Sequence, residues 1–323
     1  MFDVRPVFNV IGLLVSCLGL TMMFPMALDM SRGNGHAGVF LESALITCLT
    51  GSMMYLATRR EAARGLTLQQ TFLLTSGVWL ALPIFGALPF ALGATDSSFT
   101  DAFFEAMSGL TTTGATVISG LDYLPDGLLL WRSILQWLGG IGIIVVAMVF
   151  LPELRVGGMQ IFKSEGFDTF GKILPRATEI AAQVAWLYVG LTGACAVIYI
   201  ATGMRSFDAV LHAMTTIATG GFSTYDSSFV KFGASTEYAA VVFMCLAALP
   251  FVRYVQLING APGSLFQDSQ VRVFFIVLLV TVGFLTLVLW QGYQFSGELG
   301  FRKALFNVVS IITGTRYASA DYS

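Results

Sequence analysis

Seven stretches of the chain are apolar almost without interruption, at roughly 7–28, 37–57, 69–93, 129–151, 179–202, 236–258 and 271–291. A helix rises about 1.5 Å per residue, so about 20 apolar residues cross the roughly 30 Å of bilayer hydrocarbon. Each of the seven is predicted to be a membrane-spanning helix. Three shorter, half-apolar stretches lie between them, near 101–113, 206–219 and 302–314. Backbone that enters a membrane without crossing it is tolerated only where it is buried in protein or lines water, so these three are predicted to be re-entrant. Pro83, Pro89 and Pro250 mark expected kinks. Gly139, Gly140 and Gly142 in WLGGIGI are expected to let the fourth span pack closely against a short helix, with a gating hinge as the alternative. The first run opens with the charge of a signal peptide, but it is long and lacks a small-residue cleavage site, so it is read as a membrane helix.

Composition agrees with the pattern. Of 323 residues 56% are hydrophobic and 11% charged, against roughly 25% charged in soluble proteins. A folded surface in water cannot hide that much apolar area. Soluble enzymes, nucleic-acid binders and disordered regulators are thereby excluded, and the partner is the lipid bilayer. A net charge of −2 gives no reason to expect a polyanion. Cys17, Cys48, Cys195 and Cys245 sit inside apolar runs without CxxC spacing and read as small buried hydrophobes.

Charge then orients the chain. Arg59, Arg60 and Arg64 follow the second span, Arg155, Lys163, Lys172 and Arg176 the fourth, and Arg253 and Arg272 flank the loop after the sixth. The positive-inside rule makes these loops cytoplasmic. The opposite loops carry Asp96, Asp101, Asp122, Asp126, Asp208, Asp226, Glu237, Glu298 and Asp321, and all three short stretches fall on that outer side.

The short stretches repeat one another. DAFFEAMSGLTTTGATVISGLD (101–122) aligns without a gap on DAVLHAMTTIATGGFSTYDSS (208–228), placing Asp101 on Asp208, Ala106-Met107 on Ala213-Met214 and Gly114 on Gly221. KALFNVVSIITGTRYASAD (303–321) continues the register, with Ala304 on Ala209 and Ser310 on Thr215. The predicted unit is a span, a short pore-type helix, an extended Thr/Gly segment and a second span. A short helix entering from outside points the negative end of its dipole at the bilayer centre. The carbonyls that follow can replace a cation's hydration shell, with Thr hydroxyls as further oxygens. Glycine is needed where the backbone adopts angles that side chains disfavour. Acidic residues near the outer ends are expected to concentrate cations.

SGLTTTGAT, TTIATGGFST and the cytoplasmic VGGMQIF resemble the TrkH branch of the Trk/Ktr/HKT superfamily of cation transport proteins. The resemblance runs over essentially the whole chain, and the two leading spans favour that branch over its KtrB relatives. It implies an all-α integral membrane protein: span–pore helix–span units around a pseudo-fourfold pore, preceded by two extra N-terminal transmembrane helices. The divisions expected are 1–66 (N-terminal two-helix region), 67–151 (first pore repeat), 152–178 (cytoplasmic connector), 179–260 (second repeat) and 261–323 (incomplete third repeat). It further implies potassium as the transported ion, no bound cofactor, and the bacterial inner membrane as the location. A homodimer of pores and a soluble nucleotide-binding regulatory subunit of TrkA type on the cytoplasmic face are implied as well. The family's filter residues carry over to Thr111, Thr112, Thr113 and Gly114, then Ala218, Thr219, Gly220 and Gly221, then Thr313, Gly314 and Thr315.

Two departures stand out. Where the family pattern has glycine in the third copy, this chain has Arg316. A guanidinium stays charged at any relevant pH, so Arg316 is expected to repel the permeant ion and impair conduction. A side chain snorkelling outward toward Asp321 is the milder alternative. The chain also stops at Ser323, a few residues past the third filter segment, and is read as a C-terminally shortened or non-conducting relative lacking the closing span and a fourth repeat.

Other chemistry is thin. Residues 166–172 nearly fit GxxxxGK, but Ile173 stands where the magnesium-binding hydroxyl belongs and no strand precedes it. The two histidines, His36 and His212, make neither HExxH nor a Ser–His pair, so no enzyme is expected. In the repeat register His212 falls on Glu105 and Asn307, and these three polar residues are expected to anchor the pore helices through hydrogen bonds. Arg253 is expected to snorkel to the interface.

Overall fold

The structure, a computed structural model, describes residues 3–59, 66–154, 173–261, 263–291 and 297–320. The cytoplasmic VGGMQIF, the 166–172 motif and Asp321 lie outside the described residues. Among the described residues the regular structure is all helical. The chain folds as two compact units, residues 1–139 and 140–323.

The first unit begins with α1 (Arg5–Thr21) and α2 (Met23–Arg32), which turn at Met22 and together form a 28-residue apolar run. The first span therefore reaches a turn further than 7–28. It stops at Gly33, whose φ of 66° closes the helix end. α3 (Ala37–Thr58) packs on α1 through glycines: a Cβ on Gly12 would lie 2.7 Å from the Gly51 carbonyl oxygen. Lipid supplies no hydrophobic drive between helices, so close backbone approach does the work. α4 (Leu68–Gly86) starts with a capping box, Gln70 N–H donating to Thr67 Oγ1 and Thr67 N–H to Gln70 Oε1. Pro83 is accommodated inside α4, and the chain resets at Ala87 into the short α5 (Leu88–Ala91), led by Pro89.

α6 (Phe99–Leu110) is the first short stretch. Its 12 residues cover about 18 Å, too little to cross. α7 (Asp126–Leu154) starts against the end of α2: Gly127 N–H and Asn34 Nδ2 donate to Asp29 Oδ1, and Arg32 pairs with Asp126 at 2.9 Å. Trp131 Nε1 donates to the Gly86 carbonyl.

The second unit contains α8 (Ile173–Ala201), α9 (Ser206–Ile217), α10 (Ala234–Ala248), α11 (Phe251–Ile258), α12 (Gly263–Phe266), α13 (Ser269–Gln291) and α14 (Gly297–Ile312). The sixth expected span, 236–258, is not one straight helix. Leu249 is extended ahead of Pro250, and α10 and α11 meet at 86°. Proline removes a helix donor and bars the preceding residue from helical angles, so the break follows from Pro250 itself. Arg253, just past the elbow, pairs with Asp268 at 2.7 Å instead of only snorkelling. α13 keeps Val273, Ile276, Leu279, Val280, Phe284 and Leu287 exposed, as a helix bathed in lipid does. Several such helices make this a multi-pass membrane protein.

Candidate functional site

The three short helices end in the same way, although the sequence between and around them differs. At the C-terminus of α6 the N–H of Thr111 bonds to Met107 O, and that of Thr112 to Gly109 O. At α9 the pairs are Ala218 to Met214 and Thr219 to Thr216; at α14 they are Thr313 to Val309 and Gly314 to Ile311. The glycine-register amides then turn back to one carbonyl per copy: Gly114 to Ser108 O at 3.5 Å, Gly221 to Thr215 O at 3.4 Å, Arg316 to Ser310 O at 3.0 Å.

Backbone angles repeat with the same register. Two residues in each copy, with one residue between them, occupy the left-handed region: Thr112 and Gly114 (φ 54° and 76°), Thr219 and Gly221 (53° and 75°), Gly314 and Arg316 (80° and 63°). A residue with a side chain pays about 1–2 kcal/mol for such a conformation. Three copies holding it at aligned positions make it a built feature.

The consequence is directional. Peptides are planar and, in every described bond, trans, so each C=O points opposite to the next residue's N–H. With the amides of Thr112, Thr113 and Gly114 bonded back to the helix, the carbonyls of Thr111, Thr112 and Thr113 face away from it. The same reasoning turns out the carbonyls of Ala218, Thr219 and Gly220, and those of Thr313 and Thr315. Each short helix thus ends in a row of outward oxygens at the negative end of its dipole, suited to a desolvated cation. Thr111 and Thr113 share a hydroxyl hydrogen bond at 2.8 Å, and Thr313 and Thr315 one at 2.9 Å.

In the second unit the structure brings two copies together. A Cβ placed on Gly221 would lie 1.7 Å from the Thr315 carbonyl oxygen. The Tyr317 hydroxyl bonds with Thr215 and donates to His212 O, while Phe229 N–H donates to Ala318 O. Thr111, Thr112, Thr113 and Gly114 belong to the first unit, beside α7: a Cβ on Gly139 would lie 2.0 Å from Leu110 O. Gly140, in the second unit, is also tightly packed, a Cβ there lying 2.6 Å from the Tyr188 hydroxyl and 3.1 Å from Ala218, whereas Gly142 has open space around it. Close packing explains the first two glycines and not the third.

Behind each Thr/Gly segment lies one polar side chain from its own helix. Glu105 accepts hydrogen bonds from Val117 N–H and the Thr116 hydroxyl, and pairs with Arg132 at 2.8 Å. His212 Nε2 meets Ser223 Oγ at 3.0 Å, and Nδ1 the Asp208 carbonyl at 2.8 Å. Asn307 Oδ1 accepts from Ser319 N–H, and its Nδ2 donates to Ser319 Oγ. Glu105 and Arg132 are 0% and 1% exposed, so each charge depends on the other. Arg132→Met leaves a carboxylate buried beside the first Thr/Gly segment, an expected loss of about 3–5 kcal/mol. A clear fall in melting temperature of the detergent-purified protein is the expected result; an unchanged one contradicts the pairing.

The acidic outer ends divide. Asp96, Asp101, Asp122 and Asp226 are exposed. Asp208 and Glu237 are buried, which corrects their expected role as part of a cation-gathering mouth. Burial works to raise the Asp208 carboxyl pKa, but hydrogen bonds from Arg205, Thr224 and Tyr225 outweigh it and hold it below the usual carboxylate range. Glu237 is bound by Arg302 at 2.7 Å and Lys303 at 2.6 Å, tying α10 to α14. Among the described residues no three His, Cys, Asp or Glu side chains gather as a metal site.

Comparison with known proteins gives one consistent result. A family model described as "TrkH: Cation transport protein" matches residues 36–323. The chain is 38% identical over 321 residues to the Trk system potassium uptake protein TrkI of Halomonas elongata, covering 98% of this chain and 65% of that protein. It is 38% identical over 315 residues to the Trk system potassium uptake protein TrkH of Escherichia coli, covering 96% of this chain and 65% of that one. The crystal structure of the potassium transporter TrkH from Vibrio parahaemolyticus superposes with a TM-score of 0.89 at 33% identity, over 99% of this chain and 66% of that chain. The chain thus spans about two thirds of the length of these relatives.

Proposed function

The chain belongs to the TrkH family of cation transport proteins, and from that membership we propose that it carries potassium across the bacterial inner membrane as the pore subunit of a Trk-type uptake system. The family is one of transport proteins, not enzymes. The observation that carries the reading is the threefold recurrence of a short helix followed by paired left-handed residues and outward carbonyls. Potassium sheds its water at little cost where carbonyl oxygens replace the shell. The residues that hold it are Thr111 to Gly114, Ala218 to Gly221 and Thr313 to Thr315. They do so chiefly through main-chain oxygens, so the site needs no cofactor.

The resemblance and the relatives' designation as parts of a Trk system support two partners: a second copy of the chain, and a nucleotide-binding regulatory subunit on the cytoplasmic face. Expression in a bacterium lacking its own potassium uptake tests the function. Growth at low external potassium is the expected outcome; no growth with the protein present in the membrane contradicts it. A specific observation favours a second reading, a poorly conducting member of the family. Arg316 occupies the left-handed register of Gly114 and Gly221 and brings a permanent positive charge to the third filter segment.

A further inference from the structure

Glu105, His212 and Asn307 fall on one register position of the repeat, yet they are an acid, an imidazole and an amide. What they share is the target. Each reaches past its own filter turn to the residues two or three beyond the left-handed glycine-register position. Glu105 takes Thr116 and Val117, His212 takes Ser223, and Asn307 takes Ser319. Thr116 aligns with Ser223, and Val117 with Ser319, in the gapless register. All three side chains are buried. A turn held only at its helical end could swing about that end; a second attachment beyond the turn fixes both ends of a four-residue row of oxygens.

We infer that Glu105, His212 and Asn307 are positioning residues that clasp the outer end of each filter segment and so set the spacing of its carbonyl oxygens. The inference rests on reading these segments as a potassium filter. The chemistry of each clasp follows from its neighbours. Glu105 needs Arg132 as a buried countercharge. At His212 the Asp208 carbonyl can only accept, so Nδ1 carries a proton, and in the neutral ring this leaves Nε2 to accept from the Ser223 hydroxyl. Asn307 uses both faces of its amide, since Nδ2 also donates to the Lys303 carbonyl. A clasp of fixed length matters because discrimination between similar cations depends on the number and geometry of the oxygens around them.

The test uses the purified protein, with its thermal unfolding followed across potassium chloride and sodium chloride titrations, in the unaltered chain and in H212N, H212L and N307L. Leucine approximates the volume of either side chain and cannot clasp; asparagine at 212 copies the third repeat's own solution. Loss of a clasp's hydrogen bonds is expected to raise the half-stabilising potassium concentration about tenfold in both leucine variants. The sodium curve should stay put, and H212N should remain within about threefold of the unaltered protein. A side chain that only braced the fold would lower the melting temperature equally in both salts. Leucine variants that fold with unchanged potassium preference overturn the inference, as does failure of both to fold, which would make these residues braces of the fold itself. Absence of potassium-specific stabilisation in the unaltered chain overturns the filter reading and the clasp with it.

Discussion

Replacing Arg316 by glycine raises potassium uptake about a hundredfold at equal protein in the membrane, while stability changes little. The backbone is already prepared for the exchange. At φ 63° Arg316 holds the conformation that Gly114 and Gly221 hold at 76° and 75°, and its amide bonds to Ser310 as theirs bond to Ser108 and Thr215. Glycine relieves about 1–2 kcal/mol of left-handed strain and gives back about 0.5–1 kcal/mol in unfolded-chain entropy, so the fold is nearly indifferent. The permeant ion is not. A unit charge about 4 Å from another costs it about 4 kcal/mol at an effective dielectric constant near 20, on the order of a thousandfold in occupancy. Arg316 is exposed, and solvent screening trims that to about a hundredfold. R316K keeps the charge and gains nothing; R316A loses the charge, keeps the strain, and recovers most of the uptake. The measurement is the initial rate of potassium or rubidium entry in cells without other uptake systems. Equal rates in the parent and R316G would show that the guanidinium stands clear of the ion path.

That arginine was visible in the sequence because a gapless repeat makes every position comparable with its two counterparts. The same property makes the Thr/Gly segments legible. Register, helix length and glycine spacing all belong to local sequence, and the left-handed pairs at 112/114, 219/221 and 314/316 lie where the alignment puts them. What stayed hidden depends on contacts far along the chain. Arg132 sits in the first turns of an apolar span and pairs with Glu105, 27 residues away. A lone charge in a span asks for a partner, but nothing local names it. Tyr317, which joins the third copy to Thr215 across 102 residues, carries no repeat signature, because its counterparts are Ala115 and Phe222. Glu237 is hidden for a related reason: an acid near a helix start looks exposed until Arg302 and Lys303, from a helix some 65 residues on, close over it. The elbow at Pro250 was half legible. Proline announced a kink, and only the extended Leu249 before it turned a kink into an 86° break.

Two glycines of the second unit's Thr/Gly segments, Gly221 and Gly314, should respond very differently to a single methyl group. Gly221→Ala abolishes potassium uptake, to below about a hundredth of the parent rate, whereas Gly314→Ala lowers it by less than about tenfold. Both have positive φ, 75° and 80°, so both alanines pay the same strain of about 1–2 kcal/mol. The difference is space. A Cβ on Gly314 meets nothing within 4 Å, while one on Gly221 lands 1.7 Å from the Thr315 carbonyl oxygen and 2.8 Å from its carbon. The obstacle is main chain, with no rotamer to move aside. Either the second or the third filter segment must shift by more than an ångström, and the oxygens being shifted are those offered to the ion. Overpacking by one methyl in a rigid site costs about 1–3 kcal/mol, which the fold can absorb and a coordination shell cannot. The expected signature is therefore a G221A protein that still reaches the membrane and transports nothing, beside a G314A protein that works. Matching rates in the two variants would mean that Gly221 and Thr315 do not approach each other in the working pore.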